Sequence, residues 1–369
     1  MKIIYIANAR MPTEKAHGIQ IIKMCQAFSR AGLDVELVLP WRINHIKEES
    51  FEYYGIKKSF NIKKLFSIDL IHWGLPFGFW IQSVSFSVSV FIYLFFKKAD
   101  FIYSRDLSPL FLLSLFKENL IYEAHYLPGH FGLYRGLLKR IKGLVVITQK
   151  LKEFYQKKGI AQEKILVIPD GVDLDDFNIE ITKPEARRKL NLPLDKKIIM
   201  YVGLFDKWKG YLTLLQASKF LNREMKLVMI GGTEKQVNKL REEYPNVIFL
   251  GYLPYANLPV NQKAADVLVI PNSGKMAISK YYTSPLKLFS YMASQRPIVA
   301  SDLPSLREIL DENTAVLVKP DNPNALAQGI KTALKNPDFS DNISEQAFRD
   351  VRKYTWAKRV EKILNFINS

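Results

Sequence analysis

A single cysteine, Cys25, stands among 369 residues. It excludes a disulfide framework and any multi-cysteine metal site, and it fits a reducing, cytoplasmic compartment. Histidine is scarce as well, with five residues. None of them pairs with carboxylates at metal-ligand spacing, so neither a zinc site nor a metal cofactor is expected. Long apolar runs are missing. The strongest, residues 81–96, falls short of the roughly 20 residues a span needs and is interrupted by Ser83, Ser85, Ser87 and Ser89, which rejects a transmembrane helix. The opening MKIIYIANAR passes from an apolar strand-like segment into a polar loop, without the longer apolar core of a secretory signal. Low-complexity segments and short-period repeats are absent too.

What is abundant is positive charge. The formal net charge is +17, with 24 Lys and Arg against 13 Asp and Glu in residues 1–165 and 29 against 23 in the rest. The skew asks for an anionic partner of the first half. Nucleic acid is one candidate, but neither an aromatic-and-glycine RNA-binding signature nor zinc-finger spacing supports it. An anionic membrane surface is the other. Residues 75–116 are rich in Phe, Leu, Ile and Val, with the pairs Lys63-Lys64 and Lys97-Lys98 around them. A solvated basic surface over a core-forming segment is the plain alternative. Ser83 to Val90 alternates like a strand. The strand candidate at 101–103 lies beside it, and parallel strands need a long crossover, so a helix is expected over 81–96.

Apolar runs bounded by turn residues recur at 3–6, 35–39, 101–103, 120–123 and 144–147, then at 198–202, 227–230, 247–250, 267–270, 298–300 and 315–318. Each is followed by a longer helix-like stretch. With hydrophobic residues at 48% and charged residues at 24%, this is the pattern of a globular α/β enzyme with parallel sheets covered on both faces. Two sets in one chain imply two doubly wound, Rossmann-like domains. The break is expected in the polar, proline-containing stretch between Ile168-Pro169-Asp170-Gly171 and Lys196, which gives domains at 1–175 and 176–350.

Ligands of open parallel sheets bind beyond the carboxyl ends of the strands, and several residues there invite a chemical reading. Gly18 opens a helix after the first strand, where free N–H groups attract anions, although a plain helix-entry loop would look the same. Gly203 ends the strand at 198–202 and Lys209 precedes the next helix. Together they suit a diphosphate, with a surface lysine as the bland alternative. Ser284-Pro285-Leu286-Lys287 starts a helix that Thr283 or Ser284 can cap, with Pro285 at its first position. Such a terminus is either an anion site or only a well-capped helix. His125 follows the strand at 120–123, placing it as a catalytic candidate or a structural hydrogen-bonder. His17 and His130 are weaker candidates.

The stretches MYVGLFDKWKG, LVMIGG, VIFLGYLP, ADVLVIPN, TSPLKLFSYMASQRPIVASDLPSLREIL and, earlier, VIPDGVD resemble, in their order and spacing, the retaining glycosyltransferases of family 4, which have the two-domain B-type fold (GT-B). The resemblance covers nearly the whole chain. It implies two Rossmann-like domains facing across a cleft, with residues 351–369, including Trp356, as a C-terminal helix returning to the first domain. It also implies residue roles. His125 would contact the transferred sugar, and Gly18, Gly203, Lys209, Ser284, Leu286 and Lys287 would lie at the donor diphosphate. Tyr252 and Leu253 would lie beside the nucleotide base. Four positions depart from the family pattern. Leu204 replaces an arginine after Gly203, Tyr282 and Ser290 occupy the places of two glutamates, and Gln295 stands where glycine is common. Ser290 thus sits where an acid usually holds the ribose.

The expected function is transfer of a sugar, with retention, from a nucleoside diphosphate sugar to a lipid-linked or polysaccharide acceptor in cell-envelope or exopolysaccharide synthesis. No cofactor beyond the donor is expected, and peripheral contact with an anionic membrane is. Ser290 keeps open a weakened or non-catalytic binding subunit. A nucleotide-sugar epimerase on the same fold is a further alternative.

Overall fold

Buried runs of Ile, Val and Leu become the central strands. In the computed structural model, which describes residues 1–369, the chain divides into two units. One is Met1–Pro169 with Trp356–Ser369, and the other is Asp170–Thr355. The first unit holds β1 (Lys2–Ile6), β2 (Asp34–Pro40), β3 (Asn61–Leu65), β4 (Phe101–Ser104), β5 (Leu120–Ala124), β6 (Gly143–Val146) and β7 (Ile165–Val167). They pair in parallel in the order β3-β2-β1-β4-β5-β6-β7. The chain moves outward from β1 to β3, then returns to β4 on the other side of β1. That reversal makes the β1/β4 crevice the topological switch point.

The second unit repeats the plan with β8 (Lys197–Val202), β9 (Met225–Ile230), β10 (Ile248–Gly251), β11 (Val267–Ile270), β12 (Ile298–Ser301) and β13 (Val316–Val318). Their parallel order is β10-β9-β8-β11-β12-β13, with the switch point between β8 and β11. Two apolar clusters flank this sheet: Met200, Leu268 and Phe289 belong to one, and Tyr201, Val269 and Ile330 to the other. Burial on both faces explains why these strands read as continuous apolar runs.

Each of the eleven expected strands is present, and β3 and β7 are additional. The crossover argument holds at residues 81–96, since Gly78–Leu94 is a helix connecting β3 to β4. No helix is long and apolar enough to cross a membrane.

The domain limits expected at 175/176 and 350/351 shift to Pro169/Asp170 and Thr355/Trp356. The Val172 N–H donates to the Tyr354 carbonyl at 3.0 Å, Val172 bridges Thr355, and the Tyr354 ring packs on Phe289 with centroids 5.6 Å apart. Both linking segments are therefore tied to the second unit. The final helix, Trp356–Asn368, belongs to the first. It packs on the helix Ala16–Arg30 by burying Trp356, Val360, Ile363 and Ile367. Phe366 also covers Gly143 of β6, where a Cβ would approach its ring within 2.7 Å.

Candidate functional site

In the second unit, the ends of β8 and β11 come together around backbone that only glycine can supply. Gly203 has φ +149, and its carbonyl oxygen lies 2.2 Å from where a Cβ on Gly231 would stand. Gly210, at φ +69, leaves no room for a Cβ against the Pro271 carbonyl, 1.8 Å from that position. A side chain at these places would push the strand ends apart.

Into this space reaches Lys287, from the first turn of the helix Leu286–Ala293. Its Nζ lies 2.9 Å from the position a Cβ on Gly203 would occupy and 3.7 Å from the centroid of the Tyr201 ring. The ammonium is buried and has no hydrogen-bond acceptor. Burial, and then the nearby charge of Lys209, hold it well below the usual lysine range. An anion at the strand ends would supply the missing partner.

Lys209 is differently placed. Its Nζ pairs with Asp206 at 2.8 Å and lies 5.1 Å from the Trp208 ring centroid. The expected cap at the helix start also differs. Pro285 is the N-cap rather than the first helical residue, and no side chain caps the helix. The Ser284 hydroxyl instead accepts from the Asp170 N–H at 3.0 Å. The first amides of the helix, including those of Leu286 and Lys287, thus lack a side-chain cap. Ser290, one turn on, is buried. Its hydroxyl accepts from Gln262 Nε2 at 2.9 Å and donates to the Lys287 carbonyl at 3.0 Å. Tyr252 and Leu253 follow β10 at the sheet edge, with Tyr252 exposed and Leu253 packed on the core.

In the first unit, His125 follows β5 and its Nε2 lies 2.7 Å from Glu123 Oε1. That oxygen also accepts from Gln20 Nε2 at 2.8 Å and from Arg359 Nη2. Gln20 in turn accepts from Arg105 Nη1 at 2.6 Å. Burial alone would raise the Glu123 carboxyl, but Arg359 and then His125 hold it well below the usual carboxylate range. His17 belongs to the same neighbourhood. Burial, then the charges of Arg105, Lys15 and His125, lower its ring to about 4. Asp106, just past β4, is buried and raised by that burial, and it accepts from the Asn8 N–H at 2.6 Å. Gly18 is close-packed: a Cβ there would sit 2.1 Å from the Tyr54 hydroxyl and 2.6 Å from Thr13 Cγ2. Its local necessity is therefore packing. His130 rests beside Trp80, ring centroids 6.0 Å apart.

The structure thus gathers Gly203, Lys209, Leu286 and Lys287 at the ends of β8 and β11, while Ser290 is committed beneath them. Sequence reasoning missed Glu123, Gln20, Arg105 and Arg359. A carboxylate ending the apolar run Leu120-Ile121-Tyr122 was a usable signal, because a buried charge requires partners. Nothing in the spacing could have named a partner as distant as Arg359.

The model of the family described as glycosyl transferases group 1 matches residues 182–350. An uncharacterized glycosyltransferase of Methanocaldococcus jannaschii is 29% identical over 235 residues, 60% of this chain and 58% of that protein, so the match spans less than two thirds of that relative's length. The alpha-monoglucosyldiacylglycerol synthase of Streptococcus pneumoniae is 21% identical over 360 residues, covering 91% of this chain and 76% of the relative. Among solved structures, Anabaena HepE in complex with UDP and glucose superposes with a TM-score of 0.77 at 15% identity, over 99% of both chains, a likeness of fold. Residues 182–350 are thus similar to the group 1 glycosyl transferases, and the two doubly wound units share the B-type fold of the solved structures.

Proposed function

We propose that the chain transfers a glycosyl group, with retention at the anomeric carbon, from a nucleoside diphosphate sugar to a lipid-linked or glycan acceptor. Lys287 carries the reading. A buried lysine amine without an acceptor, beside the β8/β11 switch point and on an uncapped helix start, is chemistry that suits a diphosphate. As the sugar–phosphate bond breaks, negative charge grows on the departing diphosphate. Lys287 and the free amides of Leu286 and Lys287 stabilise that charge, in surroundings where water competes weakly. Lys209 joins them by exchanging Asp206 for phosphate oxygen. His125 meets the transferred sugar, as the family resemblance implies.

The donor class is supported by the UDP and glucose bound to HepE. The lipid-linked acceptor is supported by the pneumococcal relative, named for a monoglucosyldiacylglycerol. A peripheral seat on an anionic membrane fits the exposed Trp73, Phe77 and Phe96 and the exposed Lys64 and Lys98 of the same unit.

A second reading, a binding subunit without turnover, is favoured by Ser290, whose hydroxyl is committed to Gln262 where the family carries an acid. Release of nucleoside diphosphate from a panel of nucleotide sugars, with lipid-linked acceptors present, separates the two. Turnover in the wild type that His125→Ala abolishes supports transfer. Donor binding with no turnover on any acceptor would favour the second reading.

A further inference from the structure

Three nitrogen groups converge on one oxygen of Glu123: Gln20 Nε2, Arg359 Nη2 and His125 Nε2. The amide and guanidinium nitrogens can only donate. Glu123 Oε1 is therefore already an acceptor twice over, and a carboxylate in that role carries no proton to give. The 2.7 Å contact with His125 is then a hydrogen bond only if the imidazole supplies the proton. Nε2 carries hydrogen in either charge state of the ring, and Nδ1 is the nitrogen that gains or loses one.

Glu123 cannot easily turn away from this arrangement. It is fully buried at the end of a central strand, and Arg359 is almost as buried. Arg359 is itself fixed, since its Nη1 donates to the carbonyls of Ile168 and Pro169, both at 2.5 Å. Those carbonyls lie just past β7, so the clamp ties the final helix to the ends of both β5 and β7.

We propose that Glu123 and Arg359 are positioning residues that hold His125 with Nε2 hydrogen-bonded inward, leaving Nδ1 as the ring atom available to substrate. The C-terminal helix thereby acts on the reaction without touching the substrate. This rests on the reading of His125 as the residue that meets the transferred sugar. The consequence for specificity is that the sugar meets the ring at Nδ1 and that Nε2 makes no contact with it.

Proton–nitrogen correlation spectra of the full chain, labelled with 15N-histidine, test the proposal without any sugar present. His125 is assigned by the loss of its signals in His125→Gln. The wild type is expected to show an Nε2 proton shifted downfield and protected from exchange with water. Glu123→Gln should move that proton upfield, and the double variant Glu123→Met/Arg359→Met should lose it. The double variant replaces both charges with apolar groups and so leaves neither one buried alone. With a nucleotide sugar and acceptor, it should turn over at least tenfold more slowly, with the donor KM changed less than twofold. An unprotected Nε2 in the wild type, or an unchanged ring in both variants, would overturn the positioning role. A protected Nε2 proton in a chain that turns over no nucleotide sugar would instead count against sugar transfer and leave the positioning in place.

Discussion

His17 and His125 share one neighbourhood and face opposite electrostatic situations. His125 is matched by the Glu123 carboxylate, whereas His17 is buried among the charges of Arg105, Lys15 and His125 and falls to about 4. An unfolded histidine binds its proton near pH 6.5, so between pH 6.5 and 4 the unfolded chain takes up a proton that the folded chain refuses. The stability contributed by a neutral His17 is thus fully present above pH 6.5 and is lost as pH falls toward 4. The loss amounts to about 3 kcal/mol at the acid end. Urea unfolding of wild type and His17→Gln between pH 7 and pH 4 checks this, with a shallower acid decline expected in the variant. Parallel pH slopes would contradict it. At this scale the sequence disclosed residues that follow a strand or open a helix, His125 and Lys287 among them. It could not disclose which cation is paired, because Lys209 finds Asp206 three residues away while Lys287 finds nothing.

The elements were most legible where both faces of a strand are buried. All six strands of the second unit stood out because runs such as Val267–Ile270 have no exposed position. β3 escaped because Asn-Ile-Lys-Lys-Leu lies at a sheet edge and has no fully buried residue, so its lysines mask the pattern. β7 lies at the other edge of the sheet and has only Ile165 fully buried. The helix Leu286–Ala293 adds a local conflict between sequence and backbone. Gln295, just beyond its end, adopts φ +54, the left-handed geometry that closes many helices and favours glycine. A Cβ there costs roughly 1–2 kcal/mol, partly offset by the larger entropy a glycine loses on folding. Gln295→Gly is therefore expected to stabilise the chain by up to about 1 kcal/mol, read as a higher denaturant midpoint at unchanged slope. A lower midpoint would mean that the glutamine side chain makes a compensating contact.

Across the whole molecule, the charge skew and the exposed aromatics coincide in the first unit. Phe96 is 90% exposed, Phe77 76% and Trp73 65%. The basic residues around them are not equivalent. Lys97 is bound to Glu36 at 2.6 Å and lies over the Tyr93 ring, while Lys64 and Lys98 are exposed. An anionic membrane attracts each nearby cation by about 1 kcal/mol, an effect that salt screens. Sedimentation with phosphatidylserine-containing vesicles is expected to carry the protein down at low salt and release it at high salt. Phe77→Ser/Phe96→Ser should weaken it. Equal, negligible binding to neutral and anionic vesicles would remove the membrane from the account.

The central claim, that the second unit binds a nucleoside diphosphate through Lys287, has a direct thermodynamic signature. Burial favours the neutral amine of Lys287 in the free protein, and a bound diphosphate favours the ammonium. Binding must then take up a proton at any pH above the free-state value and below the bound-state value, and affinity must fall as pH rises through that window. Titration calorimetry with UDP, GDP and ADP, in two buffers of different ionisation enthalpy at each of a series of pH values, measures the uptake. The account predicts proton uptake on binding at least one of them. In Lys287→Met that uptake disappears and affinity falls about tenfold to a hundredfold, as expected for a lost charged hydrogen bond. If none of the diphosphates binds, or if Lys287→Met binds as tightly as the wild type, the assignment of the donor site is wrong.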